Sequence, residues 1–127
     1  MTPAGYKRLA LLLGILTLAL AAVGSVATVR YAQLRLRLML ADEQTRIFEE
    51  MRLRALKADT SEALDCLQYA WHYYPSGTKQ VAGSRLDRMV EQARASAARE
   101  IVAHLRAKTG KDYGDGPEDW LRAYGRD

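Results

Sequence analysis

Cysteine is nearly missing from this 127-residue chain: Cys66 stands alone, so an intramolecular disulfide is excluded. On an apolar helix face a lone cysteine reads as a small hydrophobe, and it leaves the redox compartment undetermined. Histidine is almost as scarce, with only His72 and His104. A structural zinc shell wants four ligands, and Cys66 and His72, six apart on a helix, face different directions. No metal and no cofactor is therefore expected. Glycine and proline are absent from Tyr31 to Tyr74, and good helix formers dominate the first half, so one continuous helix is expected to leave the apolar stretch. Strand-like alternation is absent throughout, which leaves an all-α chain. Charge is absent from Leu9 to Val29, which is no surface for water.

That uncharged stretch carries only Thr17, Ser25 and Thr28 as polar side chains. As a helix it would reach about 31 Å, the thickness of the hydrocarbon core of a bilayer. Tyr6, Lys7 and Arg8 flank it on one side and Arg30 with Tyr31 on the other, so each interface receives an aromatic and a cation. The competing reading is a cleaved signal peptide with a basic start at Lys7 and Arg8 and a cleavage site at Ser25-Val26-Ala27, leaving a secreted helical protein. Signal cores run to about 7 to 15 residues, shorter than this one. A retained single-pass anchor is the reading adopted, with the side of the remaining domain undetermined by the flanking cations. Ala10, Gly14, Thr17, Ala21, Gly24 and Thr28 recur at steps of four and three, forming one small-residue face on which a second copy of the helix can approach.

The net charge is +4, from 19 basic and 15 acidic residues. Much of the basic side lies just after the apolar stretch, at Arg30, Arg35, Arg37, Arg46, Arg52, Arg54 and Lys57. Such a bias favours anionic headgroups, whereas a nucleic-acid domain concentrates charge into a dense patch. Nucleic acid is not expected as a partner.

Periodicity divides the chain into a flank at 1–8, a transmembrane helix at 9–29, a juxtamembrane helix at 30–58, and a helical hairpin with a short last helix at 59–127. The juxtamembrane helix carries two uneven apolar stripes, Leu36, Leu40, Ile47, Met51 and Ala55, and Leu34, Leu38, Ala41 and Phe48. Neither keeps a heptad, so packing on its own domain is expected ahead of a coiled coil. Asp59 with Glu62 has capping-box spacing and opens a helix with the stripe Leu64, Leu67, Trp71 and Tyr74, ended by Pro75 and Gly77. Asp65, Gln68, Tyr69 and His72 fall on its other side. A longer helix is expected from about Gln80 to Lys108, with Leu86, Val90, Ala93, Ala97, Ile101 and Leu105 inward and a glycine cap at Thr109-Gly110. Pro117 suits the first position of a last helix, whose Trp120, Leu121 and Tyr124 should cover one end of the helix pair. Together these segments describe one transmembrane helix followed by a small bundle of three to four helices. A match of Ala63, Leu67, Ala70 and Pro75 to half of a tetratricopeptide repeat fails over Ile47, Glu50, Met51 and Arg54.

Chemical motifs are thin. Ser76-Gly77-Thr78-Lys79 fits S-x-x-K and Lys108-Thr109-Gly110 fits K-T-G, but penicillin-recognising serine enzymes need a far larger domain and a K-T-G on a strand. Gly77-Thr78-Lys79 lacks the earlier glycine and the buried strand of a phosphate-binding loop. No coherent acid, base and nucleophile set exists, so no catalytic residue is assigned and the chain reads as non-enzymatic, with a small membrane-bound enzyme subunit as the alternative. The densest unexplained feature is aromatic. Trp71 and Tyr74 serve a core, while Tyr69, His72, Tyr73 and the nearby Lys79 form a candidate surface for a protein partner.

The stretch Tyr74-Pro75-Ser76-Gly77-Thr78-Lys79-Gln80 and the tail Thr109-Gly110-Lys111-Asp112-Tyr113-Gly114-Asp115, followed by Pro117 and Trp120, resemble those of small bacterial single-pass membrane proteins without an assigned activity. A tail of the same kind also ends some bacterial helical-repeat proteins. The resemblance implies a bacterial source and a helical fold, and it transfers no functional residue. The expectation that follows is a membrane-tethered interaction domain that docks a protein, with a homodimer through the small-residue face and a lipid-surface role for Arg30, Arg35 and Arg37 as further expectations.

Overall fold

A computed structural model describes Pro3 to Arg126, with side-chain surroundings from Gly5 onward; Met1 and Thr2 of the 1–8 flank and Asp127 at the far end lie outside the described residues. Four helices follow one another: α1 (Pro3–Ala55), α2 (Thr60–His72), α3 (Arg85–Thr109) and α4 (Pro117–Ala123). No strand occurs among the described residues. The chain is all-helical, a long apolar helix followed by a small bundle. It divides into two units, residues 1–36 and 37–127.

In the first unit α1 exposes its apolar side chains, with Leu18 at 73% and Val23 at 68%. Its three aliphatic hydroxyls in this unit, among the described residues, are already used. Thr17, Ser25 and Thr28 each donate to the carbonyl four residues back at 2.8 Å, so none presents an unmet donor. One helix of the chain is thus long and apolar enough to cross a membrane, by length and composition.

In the second unit the remainder of α1 packs on its own domain. Its inward face is Ala41, Gln44, Phe48 and Ala55, with Met51 partly buried. That face takes residues from both expected stripes and leaves Leu38 exposed. A polar residue, Gln44, occupies one inward position, which is why neither stripe read cleanly in sequence. After Ala55 the helix tightens, with Lys57 and Ala58 bonding three residues back, and Asp59 then accepts the Glu62 N–H at 2.8 Å to start α2.

Ala63, Leu64, Cys66 and Leu67 of α2 meet Ala98, Ile101, Val102 and Leu105 of α3 and Trp120 and Leu121 of α4. A smaller cluster joins Ala41, Phe48, Ala70, Val90 and Ala97. α1 and α3 run parallel here, since Arg52 bonds Glu100 and Lys108 bonds the Ala58 carbonyl. α2 runs between them in the opposite sense, its C-terminal end held by Arg94.

One expectation is corrected. α3 begins at Arg85, not near Gln80, because Ser84 is its N-cap and its hydroxyl accepts the Asp87 N–H, while Gly83 before it has φ +72°. A second concerns Tyr74, which lies beyond α2 and is exposed rather than part of its inward stripe. At the other end Gly110 takes φ +67° and its N–H bonds the Arg106 carbonyl, as a glycine cap should. The tail then folds back through Arg106, which holds Asp112 and Asp115, and Trp120, whose indole N–H reaches the Gly114 carbonyl at 2.8 Å.

Candidate functional site

A dense cluster of polar and aromatic groups surrounds the junction of α2 with the loop 73–84. A helix end leaves its last carbonyls unpaired, and here they are collected by one side chain. Arg94, 3% exposed, donates from Nη1 to the carbonyls of Ala70 at 3.1 Å and Trp71 at 2.6 Å, and from Nη2 to those of Tyr73 and Tyr74 at 2.6 Å each. Glu91 lies 3.2 Å from its Nε as an ion pair, at an angle that makes no hydrogen bond. The guanidinium also stands over the Phe48 ring, 5.0 Å from its centroid. A guanidinium offers five N–H donors in a fixed planar fork, enough for all four carbonyls, whereas an ammonium has three on one atom.

Tyr74, immediately before Pro75, is the one non-glycine residue with a positive φ among the described residues, +41°. That backbone costs of order 1–3 kcal/mol and persists where its surroundings over-determine it. They do so here through the Arg94 contact, the Tyr73 ring packed edge-on at 4.6 Å, and the Lys79 ammonium 4.1 Å from the Tyr74 ring centre.

Asp87 performs the matching task for the loop. It accepts from Ser76 Oγ at 2.6 Å, Gly83 N at 2.8 Å and Gly77 N at 3.2 Å. The Ser76 bond first, and the two backbone donors with it, hold the Asp87 carboxyl below its ordinary range. Gln80 is buried and donates to the Arg37 carbonyl at 2.9 Å, which fastens the loop to α1. Lys79 reaches Tyr73 Oη at 3.2 Å and Glu43 at 3.3 Å. Burial pulls its ammonium down, but those two bonds outweigh it and the group is raised, so Lys79 stays charged.

Of the four residues proposed for partner binding, Tyr69, His72 and Tyr73 come together. They line an open groove of about 620 Å³ with Asp65, Gln68, Tyr74 and Pro75. Tyr69 is 49% exposed and stacks on Tyr73 with centroids 5.2 Å apart. His72 is exposed, with Nδ1 3.1 Å from the Gln68 carbonyl. Lys79 does not line the groove; it braces the rings of Tyr73 and Tyr74 from elsewhere. Arg94 and Asp87, which set the groove's wall and the loop beside it, escaped the sequence reading. The only signal for Asp87 was its capping-box spacing after Ser84, and Arg94 looked like any cation on a helix.

Ala10, Gly14, Thr17, Ala21, Gly24 and Thr28, the residues expected to form a helix-packing face, all lie on α1, and a Cβ added at Gly14 or Gly24 would meet nothing within 4 Å. Ser76 points to Asp87 rather than to Lys79, and the Lys108-Thr109-Gly110 segment stands at the opposite end of α3, about 37 Å of helix away. Nothing couples these motifs chemically. Cys66 is buried in the core, where desolvation pushes its thiol up, and no group of three or more His, Cys, Asp or Glu side chains suited to a metal occurs among the described residues.

No protein-family model, curated protein or solved structure matches the chain.

Proposed function

We propose that this chain is a single-pass membrane anchor carrying a non-enzymatic helical domain that docks another protein through the Tyr69–His72–Tyr73 groove. The observation that carries the anchor is the apolar surface of α1, whose side chains from Leu9 to Val29 are exposed. Leaving that much apolar area in water is disfavoured at roughly 25 cal/mol per Å², and a bilayer removes the cost. What supports docking is a groove framed by rings on an ordered wall, since large rigid aromatics with little entropy to lose are what binding hot spots use.

The anchor is tested by alkaline carbonate extraction of membranes expressing the full chain, followed by N-terminal sequencing. Retention with the 9–29 segment intact is expected. A soluble protein beginning near residue 28 refutes it and favours the secreted alternative. Docking is tested by crosslinking the membrane-embedded chain: Tyr69→Ala with His72→Ala should abolish a crosslinked species while circular dichroism is unchanged. Undiminished capture removes the groove from the function. Self-association through the small-residue face belongs to the same reading, and Gly14→Ile with Gly24→Ile should lower dimer yield in detergent; an equal yield disposes of it.

A further inference from the structure

The parallel register of α1 and α3 places the start of α3 and the loop before it beside Arg37. Val90 shares a cluster with Ala41, Arg52 bonds Glu100, and Ala58 meets Lys108, so Arg85 and Arg88 stand level with the first turns of α1 in this unit. The Gln80 bond to the Arg37 carbonyl pins the loop to the same level. This end of the unit is unlike the rest of its surface. Arg37, Arg85 and Arg88 are exposed and form no ion pair among the described residues. The acids beside them are largely spent: Asp87 is buried under three donors and Glu43 is paired with Lys79, leaving Asp42 exposed. Large apolar side chains in the same segments face solvent, Val81 at 51% and Met89 at 56%.

Exposed cations without an ion-pair partner, Arg88 among them although its Nη1 also donates to the Gly83 carbonyl, mixed with exposed apolar side chains are the composition of a surface that lies in a headgroup layer, where methylenes and methyls enter the acyl boundary and guanidinium groups meet phosphate. Chain length limits how far this end can stand from that layer. Arg37 follows Val29 by eight residues, which is about 12 Å of helix and no more than about 28 Å fully extended. The headgroup region itself extends about 6 Å beyond the hydrocarbon on each side. Arg30 and Arg35 occupy the intervening stretch and add to the same sign of charge.

We propose that the loop 79–84 and the start of α3 form a lipid seat, in which Arg85, Arg88 and Arg37 hold anionic phospholipid headgroups while Val81 and Met89 enter the interface. This rests on the anchor reading, because only a chain tethered in the bilayer brings this end to the lipid without a separate binding event. Each well-placed cation then shifts the seated fraction by about fivefold on an anionic surface.

The experiment uses the full chain reconstituted in vesicles of phosphatidylcholine alone or with phosphatidylglycerol. In a Cys66→Ala background, an environment-sensitive fluorophore is placed at Val81→Cys or, as a reference at the far end of α3, at Ala107→Cys. Quenching by headgroup-attached nitroxide is then read. At position 81 it should exceed that at 107 by at least about twofold in anionic vesicles, and the excess should fall in neutral vesicles and in Arg85→Glu with Arg88→Glu. Equal quenching at 81 and 107 in a carbonate-resistant chain overturns the seat and leaves the anchor standing. An excess at 81 that is the same with and without phosphatidylglycerol also overturns it, since the cations would then have no part. Extraction of the chain by carbonate overturns the anchor, and the seat with it.

Discussion

At the residue scale the domain depends on two buried charges that satisfy backbone and hydroxyl groups rather than one another. Arg94 answers the open carbonyls at the end of α2, and Asp87 gathers the donors of the loop. Replacing Arg94 by Met leaves four carbonyls without their partner, and should cost about 3–5 kcal/mol in urea denaturation followed by circular dichroism. Lysine should restore little, because an ammonium cannot fork between Nη-type contacts; recovery by Arg94→Lys would show that charge alone suffices. Asp87 predicts a pH dependence. Its carboxyl is held below the ordinary value of 3.8, so the stability it contributes is fully present above about pH 4 and is lost as pH falls through its lower folded value. Asp87→Asn should therefore flatten the acid limb of a stability profile below about pH 4, without erasing it, since Asp112 and Glu49 are lowered as well. An unchanged slope would mean that the folded carboxyl is not preferentially ionised.

At the scale of elements, caps and glycines decide where helices stop, and they differ in what they tolerate. Gly110 has φ +67° with open space where a Cβ would go, so Gly110→Ala should lose only the backbone preference, about 1–2 kcal/mol. Gly77 has φ +81° and its added Cβ would lie 3.0 Å from the Ala82 Cβ, so Gly77→Ala should cost more, by clash as well as strain. Thermal unfolding of the two variants side by side checks the order, and the reverse order would contradict the loop packing. α4 is short but carries Trp120, fully buried in the main cluster with its indole N–H on the Gly114 carbonyl. Trp120→Ala should destabilise the bundle by about 3–5 kcal/mol. Much of this was legible beforehand. The Asp59 cap, the Gly110 stop and the Pro117 start are local signals, and each was read at its correct position. The start of α3 differs from the periodicity because Ala82 prolongs the apolar period of Leu86 and Val90 backwards, and only the Ser84 cap with the loop bonds to Asp87 cuts it off.

At the scale of the whole molecule the two units differ in how much of their apolar surface they bury. Unit 37–127 contains both core clusters, so a chain beginning at Arg37 should unfold cooperatively in lipid-free buffer, as followed by circular dichroism in urea. A broad, probe-dependent transition would show that the domain needs its first segment to fold. The apolar surface of the other unit is what makes an anchor the economical reading, and the groove and the lipid seat on the domain follow from side chains that the fold places together.

What the amino-acid order determined by itself is everything carried within about one helical turn: the charge-free run, the helix class, the caps and the inward stripes of α2 and α3. What only the tertiary structure decided is which charges are inside and what they hold. Arg94 becomes a clasp because the end of α2, some twenty residues earlier in the chain, arrives over it, and Arg85 and Arg88 come level with Arg37 because α1 and α3 run parallel. Neither contact leaves a periodic trace in the sequence, since a buried ion is made by acceptors that other elements bring, and chain neighbours do not record them.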